Sequence, residues 1–391
     1  MAKSFTNVLI YEDALARSRK FLPLAYTRSV AELRSGAFTA VTRIQALFRE
    51  AKVYLHARPE LKDVITRRYG LGVNEVPTGS TLLINAREAL AFNPNNHWHV
   101  YDELPPEISE SLTAGEPIEP PEPVREDAPT SLWEMVHANA GAIMLDAELW
   151  PMINRSVERP SFANCAIVKP DNLLVHPEAQ VDSGVVLDCS EGEIIIEEGA
   201  HIMPNATIIG PAFIGKNSIV KIGAKIYEGT SIGPVSKMGG EIENSIIQGY
   251  SNKQHDGYLG HSFLGEWVNL GAGTNTSDLK NDYSPVRVTI EDEEFETNSL
   301  FVGLMMGDHS KSAIGTQFNT GTVVGVSSNI FGVGFPPKWV PSFSWGGAKE
   351  MTTYRFEKAM DVARAVMARR NVSMSGEEAE MYRSIFYGKS I

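Results

Sequence analysis

The sequence predicts an α/β domain followed by a parallel β-helix and a helical tail. Apolar, β-rich segments at 7–11, 52–57 and 81–86 are typical of strands separated by helices. Isoleucine or valine then recurs every six residues from 196 to 232, and an amphipathic helical pattern covers 349–371. The predicted units are an α/β domain (1–112), a Pro- and acid-rich linker with a connecting helix (113–160), a β-helix (161–347) and C-terminal helices (348–391).

Helical signals follow the first strand and the linker. Ser29 and Glu32 have the spacing of a capping box, and apolar residues at near-helical intervals after them predict a helix over 29–48. Beyond the linker, Ser131 and Glu134 predict a second helix start, and Pro151 is expected to end that helix.

The six-residue period excludes an α-helix and a single strand. It is typical of a left-handed parallel β-helix, in which each hexad is one strand and turn and three hexads form a triangular coil. The apolar residues expected to point inward are Ile196, Ile202, Ile208, Ile214, Val220, Ile226 and Ile232.

The period returns later in a shifted register. Tyr258, Leu264 and Leu270 follow it, as do Ile314 and Val326, and these shifts predict excursions from the coil near 234–257 and 275–300. In the tail, a common helical face and a second capping box predict two helices, with Phe356, Met360, Ala363, Met367, Ser375 and Glu378 as the marker residues.

Composition narrows the classes of partner. The net charge of −13 disfavours nucleic acid and anionic membranes as main partners. Cys165 and Cys189 are too few for a disulfide framework, and the sequence lacks a signal peptide and a long apolar run. We therefore expect a cytoplasmic protein with no nucleic-acid or membrane partner.

Polar residues concentrate at 251–275, within the predicted coil. Since apolar side chains fill the interior of the coil, this cluster is expected on an outer face. His255 could act as a neutral base for acyl transfer to an amine, and His261 is a weaker candidate. Together with His309 these histidines also leave a zinc site open. The segment 271–275 lacks the Lys of a P-loop and is expected to be a tight turn.

Three segments resemble a known family. "SNKQHDGYLGHSFLGEWVNLGAGTNTSDLKNDY" (251–283) resembles the acetyltransferase half of the bifunctional enzymes that make UDP-N-acetylglucosamine. "FLPLAYTRSVAELRSG" (21–36) and "MGDHSKSAIGTQFNTGTVVGVSSNIFG" (306–332) extend the resemblance to an alternative bacterial form described as a sugar nucleotidyltransferase. The resemblance implies a β-helix of the hexapeptide-repeat acyltransferases behind a shortened nucleotidyltransferase-like domain.

The resemblance also implies site residues. His255 would deprotonate the amine of an amino-sugar phosphate, with Glu241 as its acidic partner and acetyl-CoA as the acyl donor. The other implied positions are Tyr258, Asn269 and Asp278 for the substrate, and Ala272, Thr316 and Ser327 for the coenzyme; Lys253 is a further substrate-binding candidate.

This chain departs from the family at its phosphate-binding positions. Glu243 stands where the family has a lysine, and Tyr227 is the residue nearest to the family's arginine. Since Glu243 would repel a phosphate, Lys237, Lys253 or Lys280 is expected to compensate, or the substrate differs. The basic pair 369–370 is expected to be solvated.

The N-terminal domain departs further. It has no glycine-rich loop after its first strand, and it is about half the length usual for that catalytic domain. Arg28 and Arg34 remain candidates for binding a phosphate at a helix start, or for salt bridges on a helix surface. Mg²⁺ is expected only if this domain is active.

The predicted function is therefore acetyl-CoA-dependent acetylation of an amino-sugar phosphate or sugar nucleotide by a homotrimer. The alternatives are a sugar-1-phosphate nucleotidyltransferase of the UDP-N-acetylglucosamine or dTDP-sugar type, a non-catalytic β-helix that binds sugar nucleotides, and a zinc hydratase.

Overall fold

A computed structural model describes residues 4–91, 98–153 and 162–388. Its N-terminal part is a five-stranded sheet in the order β5-β4-β1-β6-β7, in which only the β6–β7 pair is antiparallel. The strands of this part, including a separate β2–β3 hairpin, are β1 (Asn7–Tyr11), β2 (Arg34–Ser35), β3 (Phe38–Thr39), β4 (Lys52–Leu55), β5 (Gly72–Val73), β6 (Thr81–Asn85) and β7 (His99–Tyr101).

The three predicted strands are confirmed as β1, β4 and β6. Every residue of β1 and β6 is buried, as expected for central strands of a sheet covered on both faces. The helices that accompany the sheet are α1 (Ala40–Leu47), α2 (Lys62–Tyr69), α3 (Ala86–Leu90) and α4 (Pro106–Ala114), together with 3₁₀ turns at Arg19–Phe21, Leu24–Tyr26, Val30–Glu32 and Pro59–Leu61.

The predicted helix over 29–48 is wrong in its first half. The capping box of Ser29 and Glu32 exists, but it caps the 3₁₀ turn at Val30–Glu32. The β2–β3 hairpin follows, and α1 begins only after Thr39, which forms its own capping box. Before Thr39, the apolar spacing therefore results from burial of a turn and a hairpin. Only after Thr39 does it result from a helix.

The connecting helix is α5 (Leu132–Ile153), whose start is held by the Ser131 hydroxyl, which accepts from the backbone amide of Glu134 at 3.2 Å. The expectation that Pro151 ends this helix is wrong, because α5 continues through it to Ile153. Proline at the last turn of a helix removes only one hydrogen bond, which explains how it is accommodated. The predicted domain boundary at 160 lies outside the described residues.

The central part is a stack of three-strand coils, the arrangement typical of a left-handed β-helix. Face 1 carries Ala166–Val168, Val186–Asp188, Thr207–Ile209, Lys225–Ile226, Glu241–Glu243 and Tyr258–Gly260, and the pair Asn275–Thr276 and Gln317–Phe318 continues it. Face 2 carries Leu173–Val175, Ile194–Ile196, Ala212–Ile214, Thr230–Ile232, Ile246–Gly249, Phe263–Glu266, Met305–Met306, Val323–Val324 and Trp339–Val340. Face 3 carries Gln180–Val181, His201–Ile202, Ile219–Val220, Lys237–Met238, Asn252–Lys253, Asn269–Leu270, Lys311–Ser312, Asn329–Ile330 and Ser344–Gly346, with Met351–Thr353 antiparallel at its end.

The predicted inward stack is confirmed for the first coils. All seven hexad residues from Ile196 to Ile232 belong to one buried cluster that runs along the axis of the prism. The fold class expected from the six-residue period, an α/β domain followed by a β-helix and helices, is thus the one observed.

The later register was predicted correctly at Leu264 and Leu270, which belong to the buried interior cluster, and wrongly elsewhere. No excursion exists at 234–257: Lys237 pairs with Asn252, 15 residues on, so the coil is shortened at its turns without leaving the axis. Tyr258 faces outward and its neighbour Leu259 fills the interior. Ile314 is 80% exposed, and Val326 packs outside the prism.

The second excursion is confirmed. Phe263 pairs with Met305, 42 residues on, and the intervening chain forms an antiparallel hairpin of Arg287–Ile290 and Glu293–Glu296. This hairpin packs its apolar side against the N-terminal part of the chain. It therefore brings residues of the excursion close to the connecting helix.

Face 2 is covered on its outer side. The outward residues of its first coils, such as Phe213, pack on α5. Those of its later coils join one buried cluster with the N-terminal sheet and the two C-terminal helices, α6 (Phe356–Ala368) and α7 (Gly376–Phe386). Both helices were predicted, with the apolar face of α6 and the capping box of α7 as observed. Within the described ranges, no helix has the length and apolarity needed to cross a membrane. Functional groups in contact with solvent are thus found mainly on faces 1 and 3.

Candidate active site

The predicted base, His255, lies on the turn that leads from face 3 to face 1. Its side chain is exposed. Beneath it, the buried Lys253 ammonium donates to the carbonyl oxygens of Gly239 (2.9 Å) and His255 (3.1 Å), and burial lowers the pKa of Lys253 to about 8. Lys253 therefore fixes the backbone that carries His255. Because this ammonium is enclosed by the protein, its predicted role in binding substrate is wrong.

Glu241 does not orient His255 in this structure. Its carboxylate lies 3.8 Å from the Lys225 ammonium, and no hydrogen bond joins it to the imidazole. The backbone of Glu241 instead pairs with Tyr258 across face 1. The predicted hydrogen bond between this carboxylate and His255 is therefore not formed.

A different histidine has a carboxylate partner. His261 Nδ1 lies 2.8 Å from Asp278 Oδ2, and the Tyr258 hydroxyl lies 2.9 Å from that same oxygen and 2.9 Å from Glu243 Oε2. A phenol has one proton, so Tyr258 donates to one carboxylate at a time. Burial alone would raise the pKa of Asp278, but the hydrogen bonds from His261 and Tyr258 hold it below the usual carboxylate value.

Burial and the two carboxylates act in the same direction on Tyr258. Desolvation first, and then the negative charge of Asp278, raise the pKa of its hydroxyl, so the phenol stays protonated. Gly260 makes the network possible: a Cβ at this position would lie 2.3 Å from both Asp278 Oδ2 and the Tyr258 oxygen. The two predicted substrate contacts, Tyr258 and Asp278, are thus joined to each other.

Neighbours distant in sequence close this network. Phe301, from the excursion, stacks on His261 with ring centroids 4.9 Å apart. His137, from α5, lies 5.7 Å from the same ring and shares a hydrogen bond of 2.8 Å with the Ser299 hydroxyl. Sequence reasoning missed both residues, because no local pattern links a helix at 137 to a coil at 261.

Asn269, the remaining predicted substrate residue, lies elsewhere. It points outward from face 3, between Asn252 and Lys311 on the neighbouring strands, and lines a cavity of about 280 Å³. Lys237, one of the lysines expected to compensate for Glu243, lines the same cavity. Lys280 is held within the excursion, where its ammonium donates to the Ser284 hydroxyl at 2.7 Å.

The predicted coenzyme residues occupy two corners of the prism. Ala272 and Thr316 lie on successive turns between faces 3 and 1, where the Gly315 amide donates to the Ala272 carbonyl oxygen at 2.7 Å. The segment 271–275 is thus the tight turn expected. Ser327 lies on the corner between faces 2 and 3, where its hydroxyl is buried and has no hydrogen-bond partner. The turns of the first corner expose Gly273 and Gly315 to solvent, whereas the side chains of Thr316 and Ser327 are both buried.

The three histidines considered for zinc are not brought together. His261 stacks on Phe301, whereas His309 stacks on Trp267 and has its pKa lowered to about 3, first by burial. Among the residues that the structure describes, no group of three or more His, Cys, Asp or Glu side chains could hold a metal ion.

The two candidate phosphate residues of the N-terminal part are buried. Arg28 forms a bidentate pair with Asp308, at 3.0 and 2.6 Å, and lies 3.4 Å from Glu266. Arg34 donates to the carbonyl oxygens of Ala37 and Gln248. Both guanidinium groups therefore join the N-terminal part to the β-helix, which favours the structural alternative over contact with a phosphate.

Carboxylates occupy the edge of the N-terminal sheet. Glu12 and Asp13 follow β1 directly, and both are buried. Glu12 accepts from Arg17 at 3.1 Å and from the Ser29 hydroxyl at 2.7 Å, while Asp13 forms an ion pair of 2.5 Å with Arg87. Ligands of open α/β sheets bind at the carboxyl ends of the strands, so this edge is where a nucleotide would be expected.

The same edge has almost no space. The cavity beside Glu12, Arg17 and Arg58 measures about 10 Å³, which is about the space that one water molecule requires. His56 fills the end of β4, with its Nε2 3.0 Å from Arg17, and burial and this charge lower its pKa to about 3. The cavity beside Glu12 is therefore too small for a nucleoside triphosphate.

Comparisons with known proteins agree with the resemblance seen in the sequence. Residues 8–95 match a family model described as sugar nucleotidyl transferase. The chain is 36% identical over 180 residues to the bifunctional protein GlmU of Methanococcus aeolicus, covering 43% of this chain and 40% of that protein. It is 30% identical over 147 residues to a bifunctional sugar-1-phosphate nucleotidylyltransferase/acetyltransferase of Sulfurisphaera tokodaii, covering 36% of each.

The chain spans about two fifths of the length of these curated relatives. Among solved structures, a mutant of AntD, an N-acyltransferase from Bacillus cereus in complex with dTDP and coenzyme A, is similar over 52% of this chain and 91% of that chain, with 13% identity and a TM-score of 0.22. The resemblance to bifunctional GlmU-like proteins, stated above from three sequence segments, is confirmed at the level of sequence similarity.

Proposed function

We propose that the chain transfers an acyl group from acyl-CoA, with acetyl-CoA as the expected donor, to the amine of a phosphorylated amino sugar or sugar nucleotide. The observation that carries this proposal is the exposed His255 on a rigid turn beside the Tyr258 network, within the segment that resembles an acetyltransferase. Similarity to bifunctional nucleotidylyltransferase/acetyltransferases supports it.

The chemistry requires a base that reaches solvent. In the proposed step the amine nitrogen attacks the thioester carbonyl, an amide bond forms and the carbon–sulfur bond breaks. The amine proton passes to His255 and then to the leaving thiolate, so that coenzyme A departs as a thiol. His261 has the better carboxylate partner, but its side chain is only 11% exposed. His255 is therefore the histidine that a substrate can approach.

The supporting residues have separate roles in this proposal. Lys253 holds the His255 backbone, and the His261–Asp278 pair holds Tyr258 at the edge of the site. The acyl-CoA would lie along the open corner formed by the turns of Ala272 and Thr316. Since Glu241 makes no contact with His255, its carboxylate contributes charge rather than a hydrogen bond.

Release of free thiol from acetyl-CoA tests the proposal. We expect release with amino-sugar phosphates such as glucosamine 1-phosphate and none with glucose 1-phosphate, the matched acceptor that lacks only the amine. Absence of thiol release above the rate without acceptor, for every amino-sugar phosphate and amino-sugar nucleotide tested, would overturn the proposal and favour a non-catalytic binding protein.

We also propose that the chain forms a homotrimer. The N-terminal part and the C-terminal helices cover face 2 and leave faces 1 and 3 available for cyclic association. Three-fold packing would place a neighbour beside the exposed His255 and so enclose the site. Light scattering is expected to give three times the chain mass, and a monomer at micromolar concentration would contradict the trimer.

A second candidate function, nucleotidyl transfer by the N-terminal part, is favoured by the family match over 8–95. The paired carboxylates at the end of β1 and the absence of space beside them argue against it.

A further inference from the structure

A ladder of outward-facing side chains crosses face 3 of the β-helix. Lys237, Asn252, Asn269 and Lys311 are direct partners on four successive strands. Because side chains alternate along a strand, these four share the outer surface, while Met238, Lys253, Leu270 and Ser312 face inward. Successive rungs are about 4.8 Å apart, so the two lysines lie roughly 14 Å from each other.

The end of α6 closes this ladder into a cavity. Arg369 and Arg370 follow the last turn of α6 and line the cavity together with the ladder. Arg370 Nη2 donates to Asn252 Oδ1 at 3.1 Å, which fixes the guanidinium over the strands. The basic pair that the sequence suggested was solvated is thus partly built into a binding surface.

The charges of this cavity are not balanced from within. Four of the residues that line it are cations, and none is a carboxylate. The cations are Lys237, Lys311, Arg369 and Arg370, and the other lining residues are Tyr250, Asn252, Gln254, Trp267, Asn269 and Val366. Arg370 Nε is buried and has no hydrogen-bond partner. A buried donor without an acceptor is costly and is expected to be satisfied by a ligand or by water.

The electrostatics of the two lysines agree with this picture. Desolvation lowers the pKa of Lys311 to about 8, and the ammonium donates only to the His309 carbonyl oxygen, at 2.7 Å. Desolvation, followed by the charges of Arg370, Lys221 and Arg369, lowers the pKa of Lys237. A bound anion would relieve the mutual repulsion of Lys237, Arg369 and Arg370 and would compensate the desolvated charge of Lys311.

We propose that this cavity binds the phosphate or diphosphate group of a phosphorylated ligand. Arg369, Arg370 and the two lysines would hold the phosphate oxygens, and the amides of Asn252 and Asn269 would bond neighbouring hydroxyl groups. The cavity of about 280 Å³ is near the lower end of the range for small-molecule sites.

The proposal rests in part on the proposed function, because the same face would then hold the phosphate of the acceptor. It explains how a chain with Glu243 beside Tyr258 could still bind a sugar phosphate: the cationic groups have moved from face 1 to face 3. The same chemistry also suits the phosphates of coenzyme A, so the source of the phosphate is a matter for the experiment.

Calorimetric titration of the full chain at low ionic strength tests the site. Inorganic pyrophosphate is the first probe, followed by glucosamine 1-phosphate, UDP-N-acetylglucosamine and adenosine 3′,5′-bisphosphate. We expect pyrophosphate to bind, and Arg370→Gln and Lys311→Met each to weaken it roughly tenfold to a hundredfold, as for loss of one charge-assisted hydrogen bond. The matched control, Arg364→Gln on the exposed side of α6, should change binding by less than about twofold.

The use of two variants separates loss of binding from loss of the fold. Lys311→Met removes a desolvated charge, so weaker binding by this variant could not be ascribed to loss of the fold if its thermal unfolding is unchanged or improved. Failure of pyrophosphate to bind, or binding that both variants leave intact, would overturn the proposal. If the variants bind the sugar-phosphate probes more weakly, the ligand of the cavity is the acceptor. If they bind only the bisphosphate more weakly, the ligand is the coenzyme.

The outcome is separable from that of the proposed function. Phosphate binding that depends on Arg370, without thiol release from any acceptor, would support the site and reject the acyl transfer. If Arg370→Gln and Lys311→Met both release thiol with an unchanged KM for the acceptor, acyl transfer is supported and this cavity is rejected as the acceptor site.

Discussion

Two regions of this molecule could hold an anion, and they treat their charges in opposite ways. At the end of β1, the arginines and carboxylates are buried and paired with one another, and the adjoining cavity is about 10 Å³. On face 3, cations line a cavity of about 280 Å³ with no carboxylate among its lining residues. The first region resembles a nucleotide-binding edge by its position in a sheet, and the second differs from the site that the sequence suggested.

The difference shows that the position of a site in a fold does not establish its chemistry. The N-terminal sheet has the parallel order β4-β1-β6, and the carboxylates that follow β1 are neutralised by the protein's own arginines. Arg28, the residue nearest to the expected role, instead bonds Asp308 of the β-helix. The N-terminal part therefore packs on face 2, and the cations that line the larger cavity lie on face 3 and at the end of α6.

Replacement of His255 should give the largest effect, because it removes the base from the open region. We expect His255→Ala to lower the turnover of acetyl transfer by about 10²–10⁴-fold, the usual contribution of general-base catalysis, with little change in coenzyme affinity. His201→Ala is a suitable control, since His201 lies on face 3 and pairs with Asp182 at 2.7 Å. Turnover across pH is the measurement.

The result that would contradict this prediction is a base at His261, which is paired with Asp278. If His261→Ala abolishes turnover while His255→Ala retains it, the base is the histidine with the carboxylate partner, and the step takes place in the enclosed network. If His255→Ala and His261→Ala both retain wild-type turnover, neither histidine is the base of acyl transfer.

Replacement of Arg28 tests whether the N-terminal part is held by its buried charges. Arg28→Met leaves the buried Asp308 without its cation, which should cost about 3–5 kcal/mol of stability. Arg19→Met is the matched control, because Arg19 bridges to Glu291 and Asp292 at the surface, where loss of an ion pair should hardly change the stability. Urea unfolding and thermal midpoints measure both, and equal shifts would contradict the distinction.

The regular part of the fold could be predicted because its signal is local. Each hexad from Ile196 to Ile232 has its own inward residue, so the period survives without knowledge of the neighbours. The signal failed after the excursion, where the inward positions include Met306, Ser312 and Phe318. A serine in the interior breaks an apolar period, and Ile314, which seemed to continue it, lies on an exposed turn.

The candidate site was harder to predict because its partners come from distant segments. Sequence resemblance located His255, Tyr258 and Asn269 on one stretch, but the strands carry Tyr258 to face 1 and Asn269 to face 3. The Arg370 guanidinium reaches Asn252 across 118 residues of sequence. The one sequence feature that could have indicated contact with the protein is the position of the basic pair 369–370 at the end of an amphipathic helix.

Replacement of Lys311 should increase stability, in contrast to the loss expected for Arg28. The folded pKa of about 8 lies below the usual lysine value of 10.5, so the charged form is disfavoured by folding. Since this side chain is only partly buried, Lys311→Met should stabilise the protein by about 1–3 kcal/mol at pH 7.

The pH dependence of this gain has a definite sign. Below pH 8 the wild type carries the full cost of the charged lysine, because it is protonated in both states. Between pH 8 and about 10.4 the unfolded chain binds more protons than the folded one, so wild-type stability rises and the advantage of Lys311→Met shrinks. Thermal midpoints of the two proteins across this range are the measurement, and an advantage that grows with pH would contradict the argument.

The smallest expected effect is no effect at all: the N-terminal part should not release pyrophosphate. Nucleotidyl transfer needs donors that stabilise the charge of a triphosphate, and here Glu12 and Asp13 present negative groups whose cations are already bound. The full chain is mixed with UTP or dTTP, a sugar 1-phosphate and Mg²⁺, with a bifunctional relative as positive control. We expect no pyrophosphate above the rate without protein. Robust release would mean that Arg17 and Arg87 exchange their carboxylates for phosphates when nucleotide binds, and the two regions would then differ in their resting state rather than in their chemistry.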